Sequence, residues 1–225
     1  MDSLPEDPPG REAPRHRGGQ NDREGRIDRP FPDRTPAASF DSGGRLPNLL
    51  AGTEAWFDGV SAPLFYVQAG QINLQVPYAV AGAAVTHVQV LYQGKSAGAL
   101  DLPVAAAAPG VFGVAINQDG STNSESSSSP RGGILTLFAT GEGLSDGPNL
   151  SGQAAAAPYP HPLLPVSLAI AGIQAELLYA GAIPGGAGAL QVNARVPAGF
   201  VPPGAAVMEL TVGSFQAPPA TCWLK

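Results

Sequence analysis

The sequence predicts an all-β chain of two tandem β-sandwich domains, and three observations carry that expectation. Glycine and proline are abundant, 29 and 24 of 225 residues. Each disfavours a helix interior, glycine through backbone entropy and proline through its missing N–H and its ring. From residue 46 onward, short runs of β-branched and aromatic residues alternate with turn residues. Finally, one block of sequence occurs twice in the same order.

The strand runs are read from period two. In Gln71-Ile72-Asn73-Leu74-Gln75-Val76-Pro77 polar and apolar residues alternate, which puts Ile72, Leu74 and Val76 on one buried face. Comparable runs are Val85–Tyr92, Gly133–Ala139, Val166–Ile170, Ala175–Tyr179, Leu190–Val196 and Val207–Val212. Asp58-Gly59, Gln93-Gly94, Asp119-Gly120, Pro184-Gly185-Gly186 and Pro203-Gly204 punctuate them, the pattern of a sandwich or barrel. The alanine runs 105–108 and 154–157 each end at a proline and are too short to nucleate a helix, so they read as linker or strand end.

The repeat sets the number of units. Gln71–Pro77 matches Gln191-Val192-Asn193-Ala194-Arg195-Val196-Pro197. Upstream, Asp58-Gly59-Val60-Ser61-Ala62-Pro63-Leu64-Phe65-Tyr66 matches Ala171-Gly172-Ile173-Gln174-Ala175-Glu176-Leu177-Leu178-Tyr179. Downstream, Val88, Val90 and Gly94 correspond to Met208, Leu210 and Gly213. The glycine-rich insert 182–189 accounts for the difference in spacing. Units of this size are those of immunoglobulin-like sandwiches. The expected division is a charged tail over 1–45, a first sandwich over 46–112 and a second over 113–225.

The tail is distinct in composition. Residues 1–45 carry nine acids against eight arginines, a net of −1, with seven prolines and only isolated apolar residues such as Leu4, Ile27 and Phe31. Such a segment buries too little apolar surface to offset its ordering entropy, so it is expected to be disordered. Its alternating signs cancel the field that an arginine-rich interaction arm would need. The whole chain is acidic, with a net charge of −6, which excludes the electrostatic footprint of a nucleic-acid binder or an anionic-membrane binder. Pro5, Pro8, Pro9 and Pro14 stand where a secretory leader would have its apolar core. The longest apolar stretch, Val104–Ile116, is broken by Pro109, Gly110 and Gly113, so no membrane insertion is expected.

Several motifs carry a resemblance. Phe57-Asp58-Gly59-Val60-x-Ala62-Pro63-Leu64-Phe65-Tyr66-Val67, followed by Gly70–Pro77, resembles an uncharacterised domain family at the C-terminal ends of large secreted acidobacterial proteins. Pro103–Phe112, Asn117-Gln118-Asp119-Gly120-Ser121-x-Asn123 and Gly132-Gly133-Ile134 with Thr140-Gly141-x-Gly143-Leu144 continue it, so that it covers residues 47–225. The units also resemble IPT/TIG domains, early-set immunoglobulin-like folds. What the resemblance implies is architecture and an extracellular or cell-surface setting, with no activity attached. The chain departs from the pattern once. The second unit opens with the strand Gly132–Leu144, whereas nothing before Leu46 matches it. The first sandwich is therefore expected to lack its opening strands and to carry an unpaired sheet edge. Residues 1–45 are not expected to supply them, and a piece of a longer gene is favoured over a complete protein.

No catalytic constellation stands out. His16 lies in the tail, His87 in a strand and His161 in the loop Tyr159-Pro160-His161-Pro162. Gly-x-Ser-x-Gly, His-Glu-x-x-His and P-loop motifs are missing, and Gly141-Glu142-Gly143 lacks a dinucleotide loop's third glycine. The single cysteine, Cys222, reads as a small buried hydrophobe. No enzyme activity, cofactor or metal is expected. Asn117, Asp119 and Asn123 offer oxygens to calcium, but glycine follows the second position too soon for an EF-type loop, and Asx-turn chemistry explains them as well. Trp56, Phe65 and Tyr66, with Phe57, offer a sugar-stacking platform, although adjacent Trp56 and Phe57 must face opposite ways on a strand. Two functions stay open: a non-catalytic structural or interaction module with a protein or polysaccharide partner, or a carbohydrate-binding accessory module of a secreted enzyme.

Overall fold

The structure is a computed structural model that describes residues 37–199 and 202–225. The disorder expected of residues 1–36 lies outside the described residues. Residues 37–45 correct the expected tail boundary, because backbone bonds hold them to the body. The Ala38 N–H donates to the Phe65 carbonyl at 2.7 Å, and Arg45 bridges to Gln153. The Asp41 carboxylate closes the turn between them by accepting the Gly43 and Arg45 amides at 2.8 and 2.9 Å. Composition alone hid this, since the charge and proline content of the preceding residues dominates the window.

The described residues are strands and connecting loops, with one 3₁₀ turn at Tyr78–Val80 and no helix long and apolar enough to cross a membrane. The first six strands are β1 (Thr53–Phe57), β2 (Val60–Ser61), β3 (Leu64–Gln68), β4 (Gln71–Leu74), β5 (Val85–Tyr92) and β6 (Lys95–Pro103). They form a four-stranded antiparallel sheet in the order β2-β1-β5-β6, faced by the β3-β4 hairpin. β6 lies outside the predicted runs, because its Ser, Ala and Gly residues leave too short an apolar alternation and every position is exposed.

The remaining strands are β7 (Gly110–Val111), β8 (Ile116–Asn117), β9 (Ile134–Thr140), β10 (Val166–Ile170), β11 (Ile173–Gln174), β12 (Glu176–Ala182), β13 (Leu190–Arg195), β14 (Gly204–Val212), β15 (Phe215–Gln216) and β16 (Ala220–Leu224). One sheet runs β12-β13-β9, with β7 and β8 both on the far edge of β9. The other runs β11-β10-β14, with β15 and β16 on β14. The boundary expected at 112/113 falls late: Gly110–Val111 already pairs with Thr140 and Ala139 of β9. Two residues are too short to give a strand signal in sequence.

The repeated sequence folds to repeated pairing. Phe57 opposes Val88 as Ile170 opposes Met208, and a register shift falls at Phe65 in β3 and again at Leu178 in β12. Both hairpin turns, Asp58-Gly59 and Ala171-Gly172, have positive φ at both residues (49° and 82°, 51° and 77°). That is the two-residue turn whose twist matches the flanking strands. The cores differ in size. Leu135, Leu137, Leu168, Ile170, Leu190, Val192, Met208 and Leu210 anchor a cluster of eighteen buried residues in the second group. The corresponding apolar cluster in the first group has six: Ala55, Phe57, Ala62, Leu64, Val67 and Val88.

A polar seam joins the two groups. The loop after β9 crosses over the hairpin end of the first group, and its Gly152 N–H donates to the buried Gln75 Oε1 at 2.7 Å. Beside it the Tyr78 N–H donates to Ser151 Oγ at 3.0 Å, and the Leu46 N–H to the Gly152 carbonyl at 2.9 Å. The alanine run 105–108 that connects the groups passes under the Gly141-Glu142-Gly143 segment. A Cβ on Gly141 would lie 1.9 Å from the Ala108 carbonyl oxygen, and one on Gly143 would lie 2.1 Å from that of Ala106. The Gly-x-Gly-Leu motif is therefore a close backbone crossing rather than a ligand loop.

Candidate functional site

The strand alternation that builds the first core separates the expected aromatic platform. Phe57 points into the core at 4% exposure, so Trp56, its neighbour on β1, lies on the outer face of the four-stranded sheet opposite Gln89. Its indole Nε1 is buried without a hydrogen-bond partner. Tyr66 lies on the outer face of the other layer, paired with Asn73, and Phe65 occupies the β3 bulge. The core stands between Trp56 and Tyr66, so these residues do not converge. Tyr66 instead begins a polar ladder: its hydroxyl donates to Gln68 Oε1 at 2.6 Å, and Gln71 Nε2 donates to Asn73 Oδ1 at 2.8 Å.

Asn117 and Asn123 bond each other directly, Asp119 joins them through Ser121, and the Oδ1 atom of each already accepts a hydrogen bond. Asn117 Oδ1 accepts from Asn123 Nδ2 at 2.9 Å, while Asn123 Oδ1 accepts the Trp223 amide at 2.6 Å. Asp119 Oδ1 accepts both the amide and the hydroxyl of Ser121, which holds its pKa below the ordinary carboxylate value. This is Asx-turn chemistry that staples the loop to β16. Ser129, at the end of the serine run, extends the staple through backbone bonds with Trp223 and Lys225.

A cleft of about 600 Å³ lies beside the seam, and no sequence motif located it. Tyr78 from the first group, Glu142 from the crossing segment, Tyr159 and His161 from the proline-rich loop, and Gly188 from the glycine-rich insert all line it. Burial pushes the Glu142 carboxyl above its ordinary value, partly offset by its own backbone N–H. Burial, with the Glu142 charge adding to it, pushes the Tyr78 phenol up to about 12. His161 meets Tyr179 edge-on at 5.7 Å between ring centroids, and its Nδ1 lies 3.8 Å from Asp146 Oδ2. The one signal in sequence was a carboxylate set between two glycines in an otherwise apolar stretch.

Ser145, Asp146 and His161, the residue types of a hydrolytic triad, all line this cleft. A triad requires the serine hydroxyl to donate to the imidazole. Here Ser145 Oγ donates to Asn149 Oδ1 at 3.0 Å and accepts the Gly147 amide at 3.3 Å. It therefore closes the 145–149 turn. The other described histidine, His87, makes an exposed cross-strand contact with Asp101, Nδ1 to Oδ1 at 2.6 Å. Cys222 is fully buried, and burial pushes its thiol up to about 11, away from the reactive thiolate. The cleft offers hydrogen-bonding groups and aromatic side chains, with the Glu142 and Asp146 carboxyls among them, the equipment of a binding site.

No family model matches the chain, and no curated protein matches it. Among solved structures the chain is similar to one described as the D00-D0 domain of Intimin, at 17% identity over 84% of this chain and 86% of that chain. The TM-score is 0.25, and a superposition so loose carries no argument about function.

Proposed function

We propose that the chain is a non-catalytic spacing and interaction module of a secreted or cell-surface bacterial protein, which holds two β-sandwich units at a fixed angle. The observation that supports this reading is the seam. Inter-unit contacts of a flexible pair are ordinarily polar and wet, whereas here the Gln75 amide is buried at 7% exposure and satisfied by a backbone N–H of the other group. The connector 105–108 is itself clamped, since the Ala108 N–H donates to the Gly141 carbonyl at 2.8 Å. The extracellular setting rests on the family resemblance of residues 47–225. Rotational diffusion by NMR relaxation tests the reading. One correlation time shared by amides of both groups is expected, and two independent ones would overturn it.

A second reading is a carbohydrate-binding accessory module, favoured by one observation: Tyr78, Tyr159 and His161 line one cleft together with hydrogen-bonding groups, Glu142 and Asn149 among them. Ring faces with hydrogen-bonding neighbours suit a polyhydroxylated ligand. A polysaccharide pull-down lost on Tyr159→Ala but kept on Trp56→Ala supports this version. Loss on Trp56→Ala instead would return the site to the outer face of β1.

A further inference from the structure

The two groups differ at one edge, and the second shows what the first is missing. β13 is paired on both sides, by β12 and β9. Among the described residues its sequence counterpart β4 is paired by β3 alone. Equivalent positions record the consequence. Val192, Ala194 and Val196 are all 0% exposed, whereas Ile72 and Leu74 are only half-buried and Val76 is 48% exposed. On the facing sheet Leu102 opposes Thr86 as Cys222 opposes Ala206, yet Cys222 is 0% exposed and Leu102 is 40%. Leu100 takes the place of Ala220 and is 52% exposed. On the outer face, Asn193 Oδ1 accepts from both Gln191 and Thr136 of β9, each at 3.0 Å, while Asn73 Oδ1 accepts from Gln71.

We propose that the β4 edge, residues 71–76, is a binding site for an extended strand from another polypeptide. The strand lies antiparallel to β4, with alternate apolar residues entering the first core and a hydroxyl residue opposite Asn73. The chemistry of the occupant is read from the strand that fills the same place in the second group. Within β9, Leu135, Leu137 and Ala139 point inward at 0% exposure, and Thr136 meets Asn193. The edge itself favours an uncharged strand, because residues 68–78 contain no charged side chain and no lysine or glutamate to repel a pairing partner. The chain's own first 36 residues do not fit: they hold seven prolines and no alternating apolar run. Where the described chain starts, the Ala38 amide bonds Phe65 on β3, away from the β4 edge. Main-chain ladder bonds would supply affinity, and the inward apolar residues selectivity.

This inference goes beyond the spacing role and fails separately from it, since it leaves the Gln75–Gly152 seam untouched. The test uses the full chain and a synthetic peptide of the β9 sequence, residues 133–140, with charged solubilising ends. Hydrogen exchange of amides 71–76 is expected to slow by roughly tenfold or more at saturating peptide, with a raised Tm. A peptide carrying Leu135→Asp and Leu137→Asp is expected to do neither. Three results would overturn the proposal. They are no protection at millimolar peptide, equal protection by the aspartate peptide, or protection without peptide that grows with protein concentration, which would make a second copy the occupant.

Discussion

Gly152 donates its backbone N–H to the side chain of Gln75 at 2.7 Å, joining residues 77 positions apart across the two groups of strands. The same glutamine opens the Val-Pro end of the repeated strand, whose counterpart in the second copy is Arg195, half of an exposed pair with Glu176. One position of the repeat is thus put to different use in its two copies.

Removing that side chain leaves a buried amide without an acceptor. Gln75→Ala is expected to lower stability by about 1–3 kcal/mol, the desolvation penalty of an orphaned donor. Gln71→Ala, two residues earlier on the same strand but exposed, is expected to stay within about 0.5 kcal/mol. Urea denaturation measures both, and equal effects would mean that the seam bond contributes nothing net.

The crossing of the connector under Gly141 gives a steeper test. Alanine at Gly141 would need φ near +75° and would place its Cβ 1.9 Å from the Ala108 carbonyl oxygen. Backbone must move, and a loss of about 3 kcal/mol or more is expected. Gly172→Ala has a similar φ of 77° with nothing within 4 Å, so only the conformational term of about 1 kcal/mol applies. Thermal denaturation that ranks the two alike would refute the close-crossing account.

These sites differ in how far the sequence betrays them. The hairpins at Asp58-Gly59 and Ala171-Gly172 and the alternation in residues 71–76 are local, so period and turn chemistry find them. The repeat also exposes the unfilled edge, because Gly132–Leu144 has no match before Leu46. The cleft is not local. Tyr78, Glu142, His161 and Gly188 come from four loops, and only the folded path of the connector brings them together. β6 escapes for another reason: its Ser, Ala and Gly residues leave only Leu100 and Leu102 in period two, too short an alternation to read as a strand. Residues 37–45 look like their charged neighbours, although Asp41 and Arg45 make specific bonds.

The Asn117–Asn123 cluster separates stapling from metal binding. Asn123 is 4% exposed and bonds both the amide and the carbonyl of Trp223, at 2.6 and 2.9 Å. Asn123→Ala is expected to cost about 2–3 kcal/mol by orphaning buried groups at once. Millimolar calcium is expected to leave the wild-type melting temperature unchanged, since a ligand of the folded state alone must raise it. A calcium-dependent rise that Asp119→Ala abolishes would reverse this assignment.

Glu142 makes stability depend on pH in a defined direction. Burial raises its folded pKa above the ordinary 4.5, so the folded chain holds this proton more tightly than the unfolded chain does. Stability from this group is therefore greatest below about pH 4.5, falls as pH rises toward the raised value, and is level above it. Glu142→Gln keeps the shape and removes the titration. The variant is expected to match wild type near pH 4 and to melt higher at pH 7, beside the Tyr78 phenol that the Glu142 charge also disfavours from ionising. Taking the difference between variant and wild type cancels the opposite trend from Asp58 and Asp119, whose hydrogen bonds lower their pKa values. A difference in Tm that is the same at both pH values would mean that Glu142 is solvated in the folded chain, and that the floor of the cleft is wet.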